Sequence, residues 1–365
     1  MTFKETILKN VLKTLSNTNR TSSIDVFRGI AILTVVIYHF NEWLPYGYLG
    51  VDLFFVISGL LIGGILINLF ANDRLNYWAF ILQRGFKIWP SYYFFIFVGI
   101  GLSYLFYRNT HPEYLITVAT LPRYLFFFRN FVGFPAHKPF DHIWSLCVEE
   151  HFYIILPLLF LVCSFLPLGK NKIKMVFIGV ILTILFGIVI KYISYNFTNS
   201  KDTSIFTFNR VDALGWGVLL SLIINYYPQR IKNILQTSKK LIFGVGLSLF
   251  IGAIILHKTN VSVFFSAILF FSVIPFSFFL MILSTYYSKF DDWFVIRFIA
   301  YFSYNWYLWH VLFVQIISEK IGTGILGLVL YLVITFTIAI LATYFIEEPF
   351  LKLRNKIYGI RKTSN

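Results

Sequence analysis

The sequence predicts an all-α fold: a polytopic transmembrane bundle of about ten spans with both termini in the cytoplasm. Three observations predict it. Of 365 residues, 58% are hydrophobic and only 13% charged, where soluble domains carry roughly a quarter charged residues. Ten apolar segments are long enough, or nearly so, to cross a hydrocarbon core as helices. The cations alternate with those segments: with the N-terminus inside, 22 of the 31 Lys and Arg residues fall on inside segments and 8 on outside ones, Arg210 sitting at the mouth of the sixth span. Cationic loops mark the cytoplasmic face.

The spans run over 24–43, 48–70, 88–107, 143–165, 175–195, 211–227, 241–256, 261–283, 294–317 and 324–346. The first two are near-continuous apolar runs, FRGIAILTVVIYHF and GYLGVDLFFVISGLLIG. The third opens at QRGFKIWPSYY, where Pro90 suits a first helical turn. Between the third and fourth, the apolar run 115–128 is broken by Pro122 and Arg123 and reads as interfacial or re-entrant. The fourth begins at HIWSLCVEEHFY, the sixth at FNRVDALGWG, and the ninth carries SYNWYLWH. The seventh is the shortest. Residues 1–23 form a cytoplasmic segment in which Phe3, Ile7, Leu8, Val11, Leu12 and Leu15 make one apolar stripe, as in a helix lying on the anionic inner membrane surface. A plain solvated helix fits the same stripe. Residues 24–350 are the membrane domain, and 351–365 a basic cytoplasmic tail. There is no repeat of fixed period.

The formal charge of +15 does not point to nucleic acid, because the cations follow the topology instead of gathering into a patch. Two cysteines, Cys147 and Cys163, cannot make a disulfide framework, and no Cys/His spacing suggests a metal site.

Arg28 and His39 stand eleven residues apart on the first span. Eleven steps bring a helix back to within about 20° after a rise of about 16 Å. A guanidinium at one membrane face therefore shares a helix face with an imidazole past the midplane. Ionisable groups inside lipid are costly and mark functional sites by default. A structural reading also stands: Arg28 as a snorkelling anchor and His39 as a packing residue. By position along their spans, His39, Asp52, Glu149, Glu150, Arg210, Asp212 and His310 all fall in the outer part of the bilayer, which predicts one convergent polar cavity. On the inner side Arg28 is joined by Arg84 and Lys87, a cation set suited to phosphates. Positive-inside anchoring is the simpler reading of Lys87.

These residues resemble the membrane-bound acyltransferase-3 family, the O-acyltransferases that modify bacterial surface glycans. The likeness covers roughly 24–354. It is carried by IDVFRGIAILTVVIYHF with its Arg, ten residues, His pattern, by GYLGVDLFFVISGLLIG, by WSLCVEEHFYIILP, and by NRVDALGWGVLL, FSYNWYLWH and YFIEEPF. Departures are Lys87, where relatives often have a second Arg, and Cys147, where serine is common. Lysine keeps the charge and loses the bidentate fork. Some relatives carry an extra-membrane esterase-like domain; the chain ending at Asn365 is expected to work without one.

The resemblance implies acyl-CoA, chiefly acetyl-CoA, as a cytoplasmic co-substrate with no permanently bound cofactor. It also implies a glycan hydroxyl of the cell envelope as acceptor, and the bacterial cell membrane as location. His39 is then the general base, with Glu149 or Asp52 fixing its tautomer. Arg28, Arg84 and Lys87 hold the CoA phosphates. Trp144 and Ser145 shape the acceptor side or donate to the oxyanion, while Arg210 and Asp212 pair with each other or bind sugar hydroxyls. Rival roles are His310 as base and Cys147 as a covalent acyl carrier. A transporter of glycan or acyl group is the competing function, as is a sensor without chemistry.

Overall fold

The computed structural model describes residues 21–131, 137–165, 171–198, 204–262 and 264–359. The stripe expected over 1–23 lies almost wholly outside them. All ten expected segments are helical. In chain order they are α1 Ser22–His39, α2 Gly50–Ala71, α3 Tyr77–Tyr107, α4 Trp144–Phe165, α5 Lys172–Thr198, α6 Val211–Tyr226, α7 Pro228–Lys258, α8 Phe270–Thr285, a broken pair α9 Phe294–Tyr301 and α10 Ser303–Lys320, and α11 Ile325–Ala342, followed by α12 Glu348–Ile357. Among the described residues, eight helices are long and apolar enough to cross a membrane. The two expected spans outside that set differ for physical reasons. The sixth is only 16 residues long. The ninth is interrupted at Phe302, and α10 carries Asn305, His310 and Gln315 along its length.

The third helix begins earlier than its proline suggests. Asn76 caps it, its side chain accepting from the Ala79 amide at 2.9 Å, and Pro90 lies inside the helix. An interior proline removes one backbone donor and costs about 3 kcal/mol. The helix continues regardless, because Phe80, Ile88, Tyr92, Phe95 and Ile96 bury one face on either side of it. Arg84 and Lys87 thus project from two to three turns inside α3, not from its mouth.

The tightest helix pair is α2 with α6. A Cβ on Gly59 would collide with the Leu214 carbonyl, and one on Gly217 with the Val56 carbonyl. Small residues allow this approach, which lipid-embedded helices need because apolar burial against lipid gives them no drive to associate. At the rim, few residues of the apolar stretches of α5 and α7 are buried, and both present apolar side chains outward, among them Leu182, Leu185, Ile251 and Ile255. The run 115–128 forms no span. It holds a short helical turn, Leu121–Leu125, strapped to α3 by Tyr92 donating to the Tyr124 carbonyl at 2.7 Å and Tyr93 to the Leu125 carbonyl at 3.0 Å. Beyond it, burial and the nearby Arg129 keep the His137 imidazole below its usual pKa, and its Nδ1 meets the Tyr124 hydroxyl at 2.7 Å.

Both ends of the described chain meet at one end of the bundle. Thr21 and Asp25 share a cavity there with Leu351, Lys352 and Arg354. This is the near end below; the opposite one, where α1 stops at His39 and α2 starts at Gly50, is the far end. Residue 350 lies within α12, whose Leu351, Lys352, Arg354 and Asn355 help wall that cavity.

Candidate active site

The near end is hollowed into a basin of about 850 Å³. Arg28, Lys87, Lys352 and Arg354 line it, with Asp25, Glu347 and Glu348. The break at Phe302 has a role here: it places Ser303 at the start of α10, where its Oγ accepts from Arg28 Nη2 at 3.0 Å. A slot of about 130 Å³ leads on from the basin, and Arg28, Lys87, Leu61 and Tyr304 line both spaces. The slot follows α2 from Ile62 back to Val51, eleven residues or about 16 Å. Arg84, Ser145, Glu149, Tyr153 and Tyr307 complete its wall. The three cations singled out in the sequence are therefore brought together, Arg84 with its guanidinium 5.9 Å from the Tyr153 ring.

The expected single polar layer is instead split. Glu149 lies in the slot near Arg28 and Arg84. Its Oε2 accepts from Tyr153 at 3.0 Å, and that hydroxyl is 2.5 Å from Ser58. Glu150 accepts from the Trp89 indole at 3.3 Å, its other oxygen buried without a hydrogen-bond partner among the described residues. The reason is the depth at which α4 starts. The turn Lys138–Ile143 that precedes it already sits inside the bundle, with Phe140 and Ile143 fully buried, and Trp144 packs edge-on against Phe55. Five residues further, Glu149 reaches the level of Ser58.

His39 has other partners than a carboxylate. Its Nδ1 is 2.8 Å from the Val35 carbonyl and 3.3 Å from His310 Nε2. A carbonyl only accepts, so Nδ1 carries hydrogen and Nε2 keeps the lone pair of a base in the neutral ring. His310 donates from Nδ1 to the Tyr307 carbonyl at 2.7 Å and is fully buried. A third imidazole, His142, stacks edge-on to His310 with centroids 5.2 Å apart. It donates from Nε2 to the Leu308 carbonyl at 3.0 Å, and its buried Nδ1 has no hydrogen-bond partner among the described residues. Of the three rings, His39 is partly exposed, whereas His142 and His310 are buried. His39 does not line the slot; Tyr307 does, with its ring 5.6 Å from that of His310. Ser145 is also engaged: it donates to Tyr307 at 2.7 Å, and Tyr307 donates to the His142 carbonyl at 2.6 Å.

Asp52, Arg210 and Asp212 form a separate far-end cluster. Arg210 Nη1 meets Asp52 Oδ1 at 2.7 Å, its guanidinium lying 4.2 Å from the Phe271 ring centroid and 5.4 Å from that of Trp144. Asp212 does not pair with Arg210. It takes Lys191, whose ammonium donates to Asp212 Oδ2 at 2.5 Å, Ser272 Oγ at 2.8 Å and the Phe271 carbonyl at 3.0 Å, which uses all three of its hydrogens. Asp52 thus holds Arg210, not His39. Cys147 is fully buried in the apolar core and lines neither cavity.

Residues 21–344 match the family model described as "Acyltransferase domain", the acyltransferase-3 model. The chain belongs to the acyltransferase-3 family. Among curated relatives, "Peptidoglycan O-acetyltransferase OatA" of Listeria monocytogenes is 28% identical over 349 residues, covering 90% of this chain and 56% of its own. "Putative peptidoglycan O-acetyltransferase YrhL" of Bacillus subtilis is 27% identical over 348 residues, 89% and 54%. The chain thus spans about half the length of the curated relatives it matches. No solved structure matches it.

Two participants escaped the sequence reading of this acyltransferase-3 chain. Lys191 looked like an outer cation because it lies near the end of its span. His142 stands three residues before Ser145, one turn along the same face, a spacing that ties it to the Trp-Ser-Leu motif.

Proposed function

We propose that this protein is a membrane O-acyltransferase that moves an acyl group, acetyl in the first instance, from acyl-CoA to a hydroxyl of an envelope glycan. The observation that carries the reading is the sequence of spaces: a basin lined by cations, narrowing into a slot that runs about 16 Å along α2 and ends at Tyr307, beside three imidazoles. A nucleotide carrying phosphates suits the basin, and a long thin thioester arm suits the slot. The near end is the cytoplasmic one, since most Lys and Arg residues fall there on the topology set out above. The acceptor enters from the far end. The relatives' names point to peptidoglycan as that acceptor.

His39 is the base. It is the one imidazole of the cluster that is not buried, and its Nε2 is the nitrogen left without hydrogen when Nδ1 donates to Val35. Nε2 takes the proton of the acceptor hydroxyl as its oxygen attacks the thioester carbon. The carbon–sulfur bond breaks, the imidazolium returns the proton to the leaving thiolate, and ester and free CoA result. Val35 and His310 hold the ring, the task the sequence reading gave to Glu149 or Asp52. Glu149, beside Arg28 and Arg84, balances the cations of the slot instead.

The test is thiol release from acetyl-CoA by the purified full chain, with and without soluble glycan. Release should depend on the acceptor, and His39→Ala should lower it by about 10²–10⁴-fold, the usual contribution of a general base, with the protein still folded. Acceptor-independent release, or near wild-type turnover by a well-folded His39→Ala, would remove this reading.

A further inference from the structure

The basin carries more cations than a diphosphate needs, and the extra pair comes from a separate element. After α11 the helix widens into a π turn, Thr343–Glu347, before α12. Such single-turn bulges redirect the helix beyond them and gather at functional sites. Asn305 fastens this one, donating to Thr343 Oγ1 at 2.9 Å and to Glu347 Oε2 at 2.8 Å. The result lays α12 along the basin wall, with Lys352, Arg354 and Asn355 on its lining. Arg354 is held in place by its own neighbour: Nε and Nη2 both donate to Asn355 Oδ1, at 3.2 and 2.9 Å. Arg354 also lies near enough to Arg84 for their like charges to repel, a repulsion that a bound anion relieves.

Three acids share the basin, and Glu347 lies near enough to Arg28, Lys87 and Arg354 to attract all three. Asp25 faces Arg297 at 3.7 Å, Glu347 is held by Asn305, and Glu348 accepts from Tyr301 at 3.0 Å. So the basin has two cation groups, Arg28 with Lys87 beside the slot and Lys352 with Arg354 on α12. Its volume, about 850 Å³, stands at the upper end of small-molecule sites, roughly 300–1,000 Å³.

We propose that Lys352 and Arg354 form a second phosphate subsite that reads the 3′-phosphate of the adenosine end of coenzyme A, while Arg28, Arg84 and Lys87 take the diphosphate at the root of the arm. The proposal rests on the acyl-CoA reading above. It narrows the donor class: a thioester carried on a 3′-phosphorylated adenosine nucleotide is preferred to the same thioester on a nucleotide without that phosphate, or on phosphopantetheine alone.

The experiment measures competition for labelled acetyl-CoA on the purified full chain in lipid nanodiscs, using CoA and 3′-dephospho-CoA. CoA should compete roughly ten- to hundred-fold better, the range of charge-assisted hydrogen bonds. In Lys352→Gln/Arg354→Gln, CoA should weaken by that factor and 3′-dephospho-CoA should not change. Charge-retaining Lys352→Arg should keep the discrimination. Equal competition by the two ligands on the wild type overturns the subsite and leaves the donor reading standing, as does a double variant that weakens both ligands alike. Failure of the wild type to bind any of the three compounds overturns both.

Discussion

At the far end of the bundle, Asp52 meets Arg210 at 2.7 Å and Asp212 meets Lys191 at 2.5 Å, with all four side chains buried. At the near end, Arg28, Arg84, Lys87, Lys352 and Arg354 line open space. The same residue types thus stand in opposite surroundings. A buried ion taken from water costs several kcal/mol unless a partner and further hydrogen bonds recover it. The far-end groups meet that condition within the protein: Lys191 has three acceptors, and Arg210 has a carboxylate, the Ser204 carbonyl at 2.5 Å and two aromatic faces. They fasten α2, α5, α6 and α8 together. The near-end cations border cavities that they share with Asp25, Glu149, Glu347 and Glu348. What differs between the two ends is enclosure: the far-end charges are sealed among helices, and the near-end ones border cavities.

The largest effect expected from breaking this contrast lies at the far end. Lys191→Met leaves Asp212 buried and unpaired, and should destabilise the fold by about 3–5 kcal/mol, whereas Lys191→Met/Asp212→Leu, which removes both charges, should recover most of it. Denaturation in detergent reads both; a single variant as stable as wild type would show that the pair fastens nothing. A smaller effect, of a different kind, is expected at the near end. Arg28→Ala and Arg84→Ala should leave folded yield intact and weaken acyl-CoA binding roughly ten- to hundred-fold, with glycan binding unchanged. Equal loss for both substrates would make these cations part of the scaffold. The smallest concerns Lys87. Lys87→Arg restores a bidentate fork and should tighten CoA binding a few-fold in the same competition assay; weaker binding would mean that the fork does not reach a phosphate.

The helices were legible in the sequence because the bilayer demands long apolar runs, and the Arg28–His39 alignment because both residues ride one helix. Relations across helices were not legible. Helical rise along a span suggested that Glu149 and His39 share a depth, but the buried turn before Trp144 sets α4 deeper than its apolar limits suggest. Pro90 looked like a start, since nothing local shows that packing on both sides carries a helix through it. Asp212 found Lys191 on another helix instead of Arg210 two residues away, because residues i and i+2 point to different faces. The cluster of His39, His142 and His310 draws on α1, the turn before α4, and α10, and no single window of sequence holds all three.

In the proposed reaction, donor and acceptor reach one site from opposite ends: CoA held at the near-end cations, its thioester carried up the slot, the glycan arriving at the far end. The most direct measurement uses sealed vesicles with the protein in one orientation, labelled acetyl-CoA on the near-end side and glycan on the other. Label should appear on the glycan with the nucleotide retained on its own side, and no transfer should occur when acetyl-CoA is supplied only from the far end. Transfer only when both substrates share the near-end side would contradict it.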